Sequence, residues 1–82
     1  MAITKDDRRH MIASGEVAGW KVSFGDEFDT LHFHRASPSR FVDIYFDRAG
    51  MVINEAWCDL GRMEPDVQHI VDYLEKRGSD GA

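Results

Sequence analysis

Phe41-Val42-Asp43-Ile44-Tyr45-Phe46-Asp47-Arg48-Ala49-Gly50-Met51-Val52-Ile53-Asn54-Glu55-Ala56-Trp57-Cys58 reads as two β-strands joined by a tight turn. Apolar, β-branched and aromatic residues fill both arms, and Asp, Arg and Gly punctuate the middle. A type I turn over Asp47 to Gly50, with the glycine in the left-handed region, gives a three-residue hairpin loop. That loop pairs Asp47 with Met51, Tyr45 with Ile53 and Phe41 with Trp57.

Working outward, two further strand-like stretches precede the hairpin, Val17 to Phe24 and Thr30 to Arg35, so that the sheet strands are Val17–Phe24, Thr30–Arg35, Arg40–Asp47 and Met51–Cys58. The connections Gly25-Asp26-Glu27-Phe28-Asp29 and Ala36-Ser37-Pro38-Ser39 are short, and short connections join antiparallel neighbours. Helices flank the strands. Thr4 caps one over Lys5 to Ser14, with Asp7 completing a capping box and Gly15 ending it. Pro65 opens the other, whose Val67, Ile70, Val71 and Leu74 recur at helical spacing before Gly78 stops it. The expected fold is α+β: a four-stranded antiparallel meander in the order α-β-β-β-β-α, with the C-terminal helix on one face. Residues 1–78 form one domain and 79–82 a disordered tail.

Strand residues alternate faces, so the register sorts the side chains. Arg35 opposite Arg40, and Gly25 opposite Thr30, collect Trp20, Val22, Phe24, Leu31, Phe33, Val42, Ile44, Phe46, Val52 and Ala56 on one side, beneath the Val67–Leu74 stripe. Asn54 and Cys58 interrupt that side. The other side carries a row Ser23–His32–Asp43–Glu55 and a row Lys21–His34–Phe41–Trp57, with Tyr45, Ile53 and Met51 beside them. A sheet face turned to solvent is ordinarily polar. Phe41, Tyr45, Ile53 and Trp57 therefore call for a cover: the N-terminal helix, a second copy of the chain or another protein.

Composition bounds the function. The chain has 82 residues, enough for one domain, and a hydrophobic content of 43% that is ordinary for a globular fold. No apolar run approaches the ~20 residues of a membrane span, and the N-terminus lacks the apolar stretch of a signal peptide. The single cysteine, Cys58, forms no internal disulfide, so the expected compartment is cytoplasmic. A net charge of −5 disfavours a nucleic-acid surface, which needs Lys and Arg against phosphates. Arg8-Arg9-His10 and the Arg35…Arg40 corner read as solvated charge. Asp26, Glu27 and Asp29 cluster in one loop, but the remaining acids are too dispersed for a mimic of nucleic acid.

Three chemistries compete with protein binding. His32, Asp43 and Glu55 on adjacent strands could converge on a metal, an imidazole-plus-carboxylates set, with His34 on the same face. Alternatively, His32 simply relieves the like-charged pair. Ser23, His32 and Asp43 fall in triad-like order, but a flat sheet lacks the pocket that an acyl-transfer site needs. The seven glycines form no phosphate loop. The expectation is a non-enzymatic protein-binding module, without cofactor, metal or membrane, that meets a protein partner or itself through Phe41, Tyr45, Ile53 and Trp57. The alternative is a metal-binding or hydrolytic site at His32, Asp43 and Glu55.

In size, acidity and preference for Arg and Asp over Lys and Asn, and in the hairpin Phe41 to Val52, the chain resembles the small accessory proteins encoded by phages of GC-rich actinobacteria. That resemblance implies a protein that binds and modulates a host factor. It transfers no site residues.

Overall fold

A computed structural model describes residues 2–25, 30–36 and 39–78. The elements run α1 (Lys5–Val17), β1 (Lys21–Phe24), β2 (Thr30–Ala36), β3 (Ser39–Phe46), β4 (Ile53–Cys58), β5 (Gly61–Met63) and α2 (Val67–Gly78). The strands form one antiparallel sheet in the order β1-β2-β3-β4-β5. The fold is α+β, with five strands rather than the expected four. The added strand escapes notice because Gly61-Arg62-Met63 has one apolar residue and no alternation to read. It is tethered to β4 by a two-residue loop, with Cys58 opposite Gly61, whose φ of 121° suits glycine. The Asp26–Asp29 loop, the Ser37-Pro38 corner and the tail 79–82 lie outside the described residues.

The first two ladders follow the expected register: Val22 opposite Phe33, Ser23 opposite His32, and His32 opposite Asp43. The third does not. Asp47 N–H donates to the carbonyl of Val52, and the Asp47 side chain accepts from Met51 N–H and Val52 N–H. The loop is therefore one residue longer than expected, although Gly50 does take a left-handed φ of 71°. Phe46 then pairs with Ile53, but Tyr45 pairs with Glu55, so Asn54 is an extra residue, a bulge. One slip at the turn and one at the bulge make a two-residue shift beyond Asn54. A two-residue shift preserves facing, so Glu55 and Trp57 stay on the expected side. Ile53, caught between the slips, changes sides.

Both helices lie on the Phe33 side. Thr4 and Asp7 close the capping box that starts α1. Before it, Ala2 bridges Val52, and Ile3 N–H donates to the carbonyl of Met51 at 2.7 Å, which pins the chain beside the β3–β4 turn. The helix runs past Ser14, and Gly15 lies buried within it instead of ending it. A Cβ at Gly15 would stand 2.5 Å from Phe33 Cε2 and 3.7 Å from Leu74 Cδ1, so α1 meets sheet and α2 at this point. The chain leaves α1 through Gly19, with φ 94°, and Trp20 is buried with its indole N–H donating to the Leu74 carbonyl at 2.8 Å. Expecting β1 from Val17 treated this exit as strand.

In α2, Asp66 accepts from the His69 N–H, so Asp66 is the cap and Pro65 precedes the helix rather than opening it. Val67, Ile70, Val71 and Leu74 are buried as the spacing required. They join Ile3, Met11, Leu31, Phe33, Val42, Ile44, Phe46, Ile53, Ala56, Cys58 and Met63 in one core between helices and sheet.

Candidate functional site

Among the described residues, no element packs over the opposite face. Its side chains are Lys21 and Ser23 from β1, Thr30, His32, His34 and Ala36 from β2, and Ser39, Phe41, Asp43 and Tyr45 from β3. Glu55 and Trp57 from β4 and Arg62 from β5 complete it. Not one of these is buried. Phe41 is 41% exposed, Tyr45 38% and Trp57 39%. Burial beneath α1 was the competing explanation for these aromatics, and α1 sits on the other side.

The register brings three of the four expected contact residues together. Trp57 stands opposite Asp43, and Phe41 and Tyr45 flank Asp43 on the same face of β3. Diagonal positions across a ladder are about 7–8 Å apart, within reach of aromatic side chains. Phe41, Tyr45 and Trp57 thus form a triangle around the middle of the sheet. Ile53, the fourth, is 1% exposed and belongs to the core. It leaves the expected contact surface because the longer Asp47 loop sets it opposite Phe46 instead of Tyr45; the Asn54 bulge beyond it returns Glu55 and Trp57 to the open face. Asn54 is exposed instead of interrupting the core side.

The charged groups at and around the triangle are paired. His32 Nδ1 lies 2.5 Å from Asp43 Oδ1, and Arg62 Nη2 lies 3.8 Å from Glu55 Oε1. The trio His32, Asp43 and Glu55 does not assemble. The register shift puts Trp57 opposite Asp43 and moves Glu55 opposite Tyr45. Among the described residues, no three His, Cys, Asp or Glu side chains are grouped so as to hold a metal.

The basic segments have structural employment. Arg8 lies 4.7 Å over the Phe46 ring, and Arg9 pairs with Asp6 at 3.8 Å. Arg35 donates to the Arg77 carbonyl at 2.6 Å and lies 5.8 Å from the Trp20 ring, so it caps the end of α2. No helix is long and apolar enough to cross a membrane among the described residues.

A feature that sequence reasoning missed lies between the β4–β5 hairpin and α2. An open cleft of about 610 Å3 is lined there by Cys58, Leu60, Arg62, Glu64, His69 and Tyr73, among others. Tyr73 Oη donates to Asp59 Oδ1 at 2.6 Å. Burial, then the bond to Asp59, then contact with Cys58, hold its phenol above the ordinary tyrosine range. Finding this cleft needed β5, which the sequence hardly announces. Comparison of the chain with protein-family models, with curated proteins and with solved structures finds no match.

Proposed function

We propose that the chain is a small non-enzymatic protein-binding module whose contact surface is the open sheet face bearing Phe41, Tyr45 and Trp57. The observation that supports this reading is that both helices pack on the Phe33 side, while three large aromatics stay about 40% exposed at the centre of the other face. Aromatic side chains bury large areas at low entropic cost and dominate interface hot spots. The resemblance to phage accessory proteins adds that the partner, if foreign, would be a host protein that the module modulates.

A metal-dependent or hydrolytic reading at His32, Asp43 and Glu55 gains nothing from the geometry, because the register separates Glu55 from the His32–Asp43 pair. The Ser23–His32–Asp43 row does stand in register, but on an open sheet face rather than in the pocket that an acyl-transfer site needs.

The test is affinity capture with matched baits in a lysate of the source cell: the wild type, Trp57→Asp and Phe41→Asp. All three should give the same far-ultraviolet circular dichroism, and proteins held by the wild type should be lost from both variants. Retention of the same proteins by the two variants would show that binding occurs elsewhere.

A further inference from the structure

We infer that the open face is built to receive a second copy of this chain, stacked sheet on sheet about a two-fold axis. The inference rests on the reading of that face as a protein contact surface, and it names the partner.

Charge is the first observation. The face carries Lys21 and Arg62 against Asp43 and Glu55, a net of zero with the histidines neutral. Setting those two basic and two acidic residues aside from the chain's 10 and 15 leaves the whole −5 elsewhere. A surface evolved for a basic partner would concentrate the acidic excess; this one excludes it. A neutral, aromatic patch matches another neutral, aromatic patch, and such a patch is present on every copy of the chain.

The second observation is how the charges are held. Burying an unpaired ion is costly, and removing one partner of a buried pair is costlier than the pair itself. Asp43, at the centre, already accepts from His32, and Glu55 already faces Arg62. Lys21, on the outermost strand, falls at the rim. When two faces meet, Asp43 and Glu55 each keep a hydrogen-bonding or ionic partner within their own face.

The third is symmetry. An isologous contact requires that each group met by residue i on one copy be met by i on the other. A two-fold axis running along the strands between β3 and β4 places the Phe41–Tyr45 column of each copy over the Trp57 column of the other. Twisted sheets stacked this way cross at about 30° with about 10 Å between backbones, a gap that aromatic side chains fill.

Size sets the strength. The five strands contain 4, 7, 8, 6 and 3 residues, and at ~4.8 Å between strands and ~3.4 Å per residue the sheet projects about 450 Å2. Side chains rising from the sheet enlarge the accessible area, so a full stack lies near the lower bound of stable interfaces, about 1,200 Å2 in total. The dissociation constant should be micromolar, about 1–100 μM, because small interfaces leave little surplus over the cost of association.

Sedimentation equilibrium of the 82-residue chain from about 5 to 500 μM tests the inference. The wild type should pass from monomer to dimer across that range. Trp57→Asp and, independently, Tyr45→Asp should weaken the dimer about 100-fold while keeping the wild-type circular dichroism. Val17→Asp, on a residue 90% exposed at the end of α1, should dimerise like the wild type. Raising salt from ~0.02 to ~0.5 M should strengthen the dimer, because two copies of charge −5 repel through the rest of their surfaces and salt screens that repulsion. This salt arm does not depend on any variant. A wild type monomeric at 500 μM overturns the choice of partner while leaving the capture test of the face itself standing. A dimer that survives both aspartate substitutions, or that salt dissociates, overturns the stacked geometry.

Discussion

Gly15→Ala separates the two possible placements of α1 by the sign of its effect. In an exposed helix interior, alanine is favoured over glycine by about 1 kcal/mol. If α1 lay over the aromatic face or stood free, the substitution would stabilise the protein by that amount. Here the new Cβ would lie 2.5 Å and 2.7 Å from Phe33 Cε2 and Cδ2, and Phe33 is 0% exposed, a ring with nowhere to move. Overpacking of this kind costs about 1–3 kcal/mol. The expected net is a loss of about 1 kcal/mol, which for a domain of this size lowers Tm by about 4–8 °C. Urea unfolding followed by circular dichroism gives the free energy, and a thermal scan gives the midpoint. Phe33→Leu in the Gly15→Ala background supplies the internal check. With the ring gone the clash is relieved, so the double variant should be more stable than the sum of the single losses by about 1 kcal/mol. A rise in Tm for Gly15→Ala, or strict additivity with Phe33→Leu, would refute the packing of α1 on Phe33.

Other perturbations read other parts of the structure. Thr4→Ala removes the half of the capping box in which Thr4 Oγ1 accepts from Asp7 N–H, and leaves the backbone N–H of residue 4 donating to Asp7. It should cost about 1 kcal/mol by urea titration, and no loss would mean that the α1 entry is not held as described. Trp57→Asp, on the open face, should change unfolding free energy by no more than about 1 kcal/mol, against about 2–5 kcal/mol for Ile53→Ala and about 3–5 kcal/mol for Trp20→Ala, both buried; similar losses for Trp57 and Trp20 would place Trp57 in the core. Tyr73 keeps its proton in the folded state to higher pH than in the unfolded chain. Its contribution is thus complete below about pH 10 and lost as pH rises beyond it, where the unfolded chain releases the proton and the folded one does not. Unfolding free energy should therefore fall more steeply above pH 10 in the wild type than in Tyr73→Phe; equal slopes would contradict the burial of the phenol beside Asp59.

Local patterns carried most of the fold into the sequence. The Val67, Ile70, Val71, Leu74 stripe defines α2, Thr4 and Asp7 define the start of α1, and the first two ladders follow from alternation between short connections. What failed was the count of residues between strands. The Asp47 carboxylate organises a longer loop than the Gly50 signal alone implies, and Asn54, polar and unremarkable, is the bulge. Both are properties of pairing partners, which a residue read by itself does not display. Their consequences are local yet decisive for the site. Facing survives for Glu55 and Trp57 because the two slips add to an even number, and it fails for Ile53 between them. The same arithmetic takes Glu55 away from His32 and Asp43 and so dismantles the expected trio.

Where α1 docks was not legible either. Its apolar content is thin: Met11 is the one large side chain it buries fully, and it is held besides by the close approach at Gly15 and by the backbone pairing of Ala2 and Ile3 with the β3–β4 loop. A glycine inside a helix signals close approach only once its neighbour is known. In the sequence it read as a terminator.

The central claim is that α1 and α2 share the Phe33 side and that neither helix covers Phe41, Tyr45 and Trp57. Nuclear Overhauser contacts within one isotopically labelled chain, diluted in unlabelled protein so that contacts between copies drop out, test it directly. The Phe33 ring should show contacts to the Gly15 α-protons and the Leu74 methyls, and the Trp57 indole only to its sheet neighbours. Contacts within that chain from the Trp57 indole to Met11 or Ile12 of α1 would contradict it.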